Sequence, residues 1–434
     1  MQSPEDAAST GNTHMTPYLI GLLILLCFGT FCEGYDFFIL SLVIKKLGGE
    51  FGLASTTLFQ TTVAIVNIGA VLGFFLIRLG DRMGRKPVLI TSLFGFGALS
   101  VVTALSPTDS HAMSVSLLGW HLFTANSSLI FFTVVQFFTK MFLVVEFGTA
   151  IIMVSEEMPS ARRGTYVAIL EVTGGLGGIF AALVHGAVFE RWGWRGLYWI
   201  GGAPLLLVPV LIFFMKETTH FQQIKAGLNE KRRSLWHIWK TPSKKYLILV
   251  GALWFLAYLS YAAVVYTWPT FAAEERGWSE NDISIPVAIA SVIGMLGYII
   301  CGVALDTLGR RKTGMVFFAG SAAALVWTYT APQALMIPSL VASMFFIFAL
   351  LPICSTYNAE LFPTEMRAGA MAWGNYMMGR PAQVVGPLVI GTVGNIFGSI
   401  GTGAAVLAVG PLIAVFVVLF FLPETRGIKL DKVH

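Results

Sequence analysis

Residues 78–88 read Arg-Leu-Gly-Asp-Arg-Met-Gly-Arg-Lys-Pro-Val, a short charged knot between apolar runs at 58–77 and 87–105. Each run has about the 20 residues that cross a bilayer. A connection this short makes the two helices antiparallel neighbours. Gly80 and Gly84 permit a tight turn. Arg78, Arg82, Arg85 and Lys86 gather positive charge on one side, and the positive-inside rule assigns that side to the cytoplasm.

The rest of the composition agrees with a chain built for lipid. Of 434 residues 56% are hydrophobic and only 12% charged. A soluble domain carries about a quarter charged residues. The net charge of +5 sits in short loops beside apolar helices, so it does not point to nucleic acid. Cys27, Cys32, Cys301 and Cys354 all fall inside apolar runs, with no disulfide framework and no metal spacing. Residues 1–16 are polar, and the first apolar run is long enough to stay as a helix, so no cleavable signal is expected.

Apolar runs predict helices over 17–44, 57–77, 87–106, 128–155, 164–188 and 197–215. After a basic stretch come 246–270, 283–305, 313–330, 335–358, 367–393 and 400–422. The fold class expected is an all-α membrane protein of twelve transmembrane helices in two six-helix bundles. Its parts are a tail (1–16), a first bundle (17–215), a linker (216–245), a second bundle (246–422) and a second tail (423–434).

Two motifs recur in matching places. Asp81, Gly84 and Arg85 return as Asp306, Gly309 and Arg310. Glu156-x-x-Pro159-x-x-x-Arg163 returns as Glu360-Leu-Phe-Pro-Thr-Glu-Met-Arg367. The pattern Asp-x-x-Gly-Arg-Arg/Lys between helices two and three, and again between eight and nine, resembles the signature loop of the major facilitator superfamily. The first copy departs from it: the Gly expected four residues before Asp81 is Ile77, whereas the second copy keeps Gly302. The ending Pro423-Glu-Thr-Arg-Gly427 resembles the sugar-porter-related branch. The resemblance implies alternating access around a central site. It also implies that Asp81, Arg85, Glu156, Arg163, Asp306, Arg310, Glu360 and Arg367 act as gating latches.

Loop charge sets the expected orientation. The 216–245 stretch is strongly basic, while 271–282 holds Glu274, Glu275, Glu280 and Asp282 against Arg276, and 106–127 has no Lys or Arg. Both termini and the linker are therefore expected in the cytoplasm, in a plasma membrane, most simply a bacterial inner membrane. Ser234-Leu-Trp-His-Ile-Trp239 is compatible with an amphipathic segment on the inner leaflet and equally with a solvated linker. Asp81 and Glu156 are 75 residues apart, Asp306 and Glu360 only 54, so the first half carries 21 extra residues. They fall at 106–127, read as an external insertion with an amphipathic helix at 113–125. A thirteenth crossing is disfavoured, because it would put the basic linker outside.

Ionisable groups at membrane depth are costly and mark function. The first helix carries Glu33-Gly-Tyr-Asp36, two acids on one helix face. Two close carboxylates cannot both ionise cheaply, which suits reversible protonation. The stretch resembles Asp-Gly-Tyr/Phe-Asp of the aromatic-acid:proton symporters, with Glu33 in the first place. Asp36 is the expected proton site, with Glu33 and Glu146 as helpers. The fourth helix adds Lys140, where relatives usually have Gly, and Gln136, where they usually have Arg. Glu171 and His185 lie on the fifth helix, and His185 reads as a satisfied polar residue. The eleventh carries Gly379-Arg-Pro-Ala-Gln383, which resembles Gly-Arg-x-Gly of the same symporters. Arg380 has no acid nearby in sequence. Its guanidinium could grip a substrate carboxylate in a two-pronged bond or pair with an acid on another helix. Asn375, Gln383, Lys140 and Gln136 are further substrate-binding candidates, with Tyr258 and Tyr261 as an aromatic wall. Tyr266 and Trp268 read as membrane-interface aromatics.

These features point to a secondary carrier, a proton-coupled symporter of a small organic anion, with a sugar or polyol symporter and a proton-driven exporter as alternatives. The partners expected are the substrate, protons and the bilayer, for a monomer without cofactor. There is no phosphate-binding loop, metal motif or nucleophile elbow to suggest an enzyme.

Overall fold

The computed structural model describes residues 15–50, 56–107, 112–117, 120–159, 163–226 and 235–426. Twelve helices form two six-helix bundles. In the first, α1 (Pro17–Glu50), α2 (Thr56–Ile77), α3 (Arg85–Ala104) and α4 (Ser127–Glu157) are single rods. Arg163–Gly201 makes the fifth crossing, α5, and past a break at Gly193 (φ 62°) begins the sixth, α6, which Pro204–Phe214 completes. In the second bundle α7 is Lys244–Tyr261, continued through a π-helical Ala262–Tyr266 into Trp268–Glu274. Then follow α8 (Glu280–Leu308), α9 (Arg310–Thr330) and α10 (Met336–Glu360). α11 joins Thr364–Met371, a π-helical Ala372–Gly379 and Ala382–Phe397, and α12 joins Ile400–Val406 and Val409–Phe421.

Among the described residues, nine helical stretches are long and apolar enough to cross a membrane on those grounds alone. One of them, Ile169–Phe214, has 46 residues and holds both α5 and α6. The remaining two crossings are α9, which opens on three cations, and α11, which is interrupted at Arg380-Pro381.

Close packing follows from small residues, as expected where lipid supplies no hydrophobic drive between helices. At the α1–α5 contact a Cβ on Gly34 would stand 1.9 Å from the Gly174 carbonyl oxygen. Only glycine allows the two backbones this near. The bundles meet along α2–α11 and α5–α8. His185 Nδ1 lies 2.7 Å from Ser284 Oγ across the second seam.

Two expectations are corrected. The helix expected at 113–125 is an antiparallel hairpin, β1 (Ala112–Leu117) against β2 (Trp120–Asn126), with Ala112 opposite Asn126 and an irregularity between Val115 and Ser116. The reason is visible in the sequence: Met113, Val115 and Leu117 alternate with Ser114 and Ser116, a period of two rather than 3.6. The linker segment, for its part, is a 3-10 turn, Leu235–Lys240, that packs on α11. Trp236 and Trp239 stand 4.8 and 5.3 Å from Trp373 between ring centroids, and Ile238 is buried.

Candidate substrate and proton site

The two π-helical segments decide the second-bundle wall. A π turn adds a residue to the helix and rotates everything beyond it, a device common at functional sites. In α7 it swings Tyr266 into the centre. In α11 it brings Asn375 and Tyr376 inward, and the backbone N–H of Arg380 reaches the carbonyl of Asn375 at 3.0 Å. The Tyr258 hydroxyl donates to Asn375 Oδ1 at 2.9 Å. The Tyr266 hydroxyl lies 3.5 Å from Gln383 Oε1 and 3.3 Å from Asn67 Oδ1 on α2, so it bridges the two bundles. Tyr261 and Tyr266 pack at 5.9 Å, and Phe37 of α1 stands 5.8 Å from each.

Arg380 is 6% exposed. Its guanidinium lies 4.9 Å above the Tyr376 ring, and its Nε has no hydrogen-bond partner. No ion pair to Arg380 forms among the described residues. A buried guanidinium met only by a ring face retains donors for a carboxylate.

The first-bundle wall faces it. Lys140 is buried, with its ammonium 3.3 Å from the centre of the Phe37 ring and 6.0 Å from that of Tyr266. The charges within reach of Lys140 are Glu33, Asp36 and Arg380. Asp36 is buried, with Oδ1 3.1 Å from Ser100 Oγ and no partner on Oδ2. Ser100 also lies 3.1 Å from the Tyr198 carbonyl, so its single proton is contested. Glu33 is buried and has Lys140, Arg380 and Asp36 as its charged neighbours. Glu146 is fully buried, and neither carboxyl oxygen has a partner. It presses on α1, where a Cβ on Gly29 would stand 2.7 Å from its Oε1.

The structure thus brings Glu33, Lys140, Arg380, Asn375, Gln383, Tyr258 and Tyr261 into one polar centre between the bundles, with Asp36 behind it inside the first bundle, against Ser100 of α3. Glu146 lies beside it in the first bundle. Gln136 is placed differently: its amide donates to Thr103 on α3 at 2.9 Å, inside the first bundle. Tyr266 and Trp268 are not membrane-interface aromatics; they are 2% and 0% exposed, and Trp268 packs on Trp278. Sequence reading also missed Asn67, one of two amides, with Gln60, in an apolar helix. Glu171 stays exposed, one turn before Gly175, which faces Met295 of α8.

At the ends of α2 and α8 the paired motifs assemble. Arg85 binds Glu156 at 3.1 Å, and Arg310 binds Glu360 at 2.7 Å and Asp306 at 3.6 Å. Arg367 donates weakly to the Phe362 carbonyl at 3.5 Å and forms no ion pair among the described residues. The side chains of Asp81 and Arg163 lie outside the described residues. Two further pairs escaped the sequence reading. Glu217 accepts from the backbone N–H of Arg85 at 2.8 Å, and Glu424 from that of Arg310 at 2.9 Å, each capping the next helix. Thr218 Oγ1 donates to Glu156 at 2.9 Å, and Thr425 does the same to Glu360.

Twelve helices in two matched bundles around buried charges is an arrangement that many membrane carriers share. The family model described as Major Facilitator Superfamily matches residues 26–268 and 251–432, and the chain belongs to that family. It is a multi-pass transporter of small molecules, not an enzyme. It is 25% identical over 412 residues to the putative niacin/nicotinamide transporter NiaP of Bacillus subtilis (strain 168), covering 93% of this chain and 96% of the relative. It is 25% identical over 429 residues to a cis,cis-muconate transport protein of Acinetobacter baylyi, covering 96% of each chain. Among solved structures, a D-xylose-proton symporter superposes with a TM-score of 0.75 at 17% identity, over 95% of this chain and 100% of that one. That likeness establishes the fold alone.

Proposed function

We propose that the protein is a proton-coupled symporter of a small organic anion, a carboxylate on a planar or aromatic body. The observation that carries it is Arg380: buried, against the Tyr376 ring, and in no ion pair among the described residues. In this reading Arg380 binds the carboxylate, Asn375 and Gln383 orient it, and Tyr258, Tyr261 and Tyr266 stack on its body. Asp36 is the main proton site, assisted by Glu33 and Glu146, since coupling needs a group whose charge changes between access states. The relatives named for niacin/nicotinamide and for cis,cis-muconate support the substrate class, because niacin and muconate are carboxylates on flat conjugated frames. The protein works as a monomer with both termini and the 216–245 linker in the cytoplasm, and the latches on Glu156 and Glu360 close that side.

Uptake into proteoliposomes of a panel of radiolabelled carboxylates and sugars, with and without a pH gradient, tests the reading. Carboxylate accumulation driven by an inside-alkaline gradient is expected. Uptake of sugars alone would overturn it. Arg380→Lys is expected to lose about ten- to a hundredfold in affinity, because a point charge cannot reproduce the two-pronged bond. Unchanged affinity in purified, monodisperse Arg380→Lys would refute the ligand role. Asp36→Asn is expected to lose gradient-driven accumulation while keeping exchange; wild-type accumulation would move the proton site elsewhere.

A further inference from the structure

We propose that Lys140 and Arg380 form a two-cation clamp, one cation from each bundle, that takes a short planar dicarboxylate with one carboxylate on each. The inference rests on the carboxylate reading above and narrows its substrate class.

Three observations carry it. Both cations are buried, at 3% and 6% exposure, and they come from α4 and α11 on opposite sides of the bundle interface. Neither forms an ion pair among the described residues, although Glu33 and Asp36 are within electrostatic reach of Lys140. Each rests instead on a ring face, Lys140 on Phe37 and Arg380 on Tyr376. Lastly, Arg380 is among the charged groups within electrostatic reach of Lys140, with Glu33 and Asp36. Like charges held together out of water cost energy until an anion enters between them.

The chemistry of the ligand follows. One carboxylate relieves one cation; two relieve both and tie the bundles together. The walls near the cations are the rings of Phe37, Tyr261 and Tyr266, which favour a flat, conjugated body. The acids complete the balance. With Glu33 and Asp36 ionised, Lys140 has negative charge beside it and a second substrate carboxylate is repelled. With both protonated, the pair of cations leaves two positive charges for two carboxylates. Loading protons and loading a dianion then favour one another.

The test uses the full-length protein, purified in detergent and monodisperse, at mildly acidic pH. The probes are terephthalate and cis,cis-muconate, each beside its half-amide, which has the same shape and one charge fewer. In wild type at least one diacid is expected to bind about tenfold or more tightly than its half-amide, the worth of one charge-assisted contact. Lys140→Gln is expected to collapse that ratio to about twofold or less by weakening the diacid alone, while Lys140→Arg keeps it. Equal wild-type affinity for diacid and half-amide overturns the clamp, as does equal weakening of both by Lys140→Gln. If Lys140→Gln does not fold, the wild-type ratio and Lys140→Arg still decide. If half-amides bind through Arg380 but the ratio is one, only the clamp fails. If none of the four acids binds wild type, the clamp fails, and the carboxylate reading is decided by the wider uptake panel.

Discussion

The two Asp-x-x-Gly-Arg turns are made of the same parts and sealed to different depths. Each follows a glycine with positive φ, Gly84 at 101° and Gly309 at 90°, a conformation L side chains rarely adopt. In each, an Arg binds the Glu at the end of a later helix, a Thr hydroxyl binds the same Glu, and a second Glu caps the helix that the Arg begins. In the first bundle Arg85 and Glu156 are only 2% and 5% exposed in their side chains and meet at 3.1 Å. In the second, Arg310 holds Glu360 through Nε and Nη2 at 3.1 and 2.7 Å, but the two are 15% and 17% exposed, and Asp306 is 79% exposed. The second latch has the shorter contact and the first has less water. Burial and geometry pull apart here, and for ion pairs the penalty of a stranded buried charge outweighs a better-formed bond in solvent.

That difference can be broken directly. Glu156→Gln removes the carboxylate that meets buried Arg85, and breaking a buried pair costs about 3–5 kcal/mol. Glu360→Gln leaves Arg310 with Asp306 and access to water, for a smaller loss of about 1.5–3 kcal/mol, the worth of a charged hydrogen bond. Thermal unfolding of both variants in detergent should therefore show the larger drop in midpoint for Glu156→Gln. Equal drops, or a larger one for Glu360→Gln, would mean that bond geometry rather than burial sets latch strength. Arg310 has the charges of Glu360, Asp306 and Glu424 around it. It remains charged at any practical pH, so acid weakens this latch only through its carboxylates.

Much of this was legible because charge is rare at membrane depth. Glu33, Asp36, Lys140, Glu146 and Arg380 stand out in any apolar run, and repeated motifs count the bundles without a structure. The Ile77 that departs from the first motif also has a physical reason: its side chain covers Gly148 of α4, where a Cβ would come within 2.6 Å of it. Gly302 in the second copy has nothing within 4 Å. What stayed hidden was hidden by two mechanisms. The π turns rotate a helix by about one residue, roughly 100°, so Tyr266, which reads as an interface aromatic in the sequence, is buried between the bundles instead. The helix-capping acids reach across great sequence distance, 132 residues from Glu217 to Arg85 and 114 from Glu424 to Arg310. Their one signal was a Glu-Thr pair after both the sixth and the twelfth helices, and it was read only in the second place.

The capping acids offer the smaller test. Burial by itself would push the Glu424 carboxyl up, but the backbone N–H groups of Arg310, Arg311 and Arg426, with the Arg310 charge, outweigh it and hold the group below the usual carboxylate range. A carboxyl depressed in the folded state adds stability above its unfolded pKa, near 4.3, and loses it as pH falls through the lower folded value. Wild-type thermal stability should therefore fall a little more steeply below about pH 4.3 than that of Glu424→Gln, whose amide does not titrate. At neutral pH Glu424→Gln should cost about 0.3–1 kcal/mol, the worth of an anion at an exposed helix N-terminus. Melting midpoints across that acid range decide it. Parallel acid limbs for the two proteins would show that the three backbone donors do not discriminate carboxylate from amide, and that the second-bundle cap is steric rather than electrostatic.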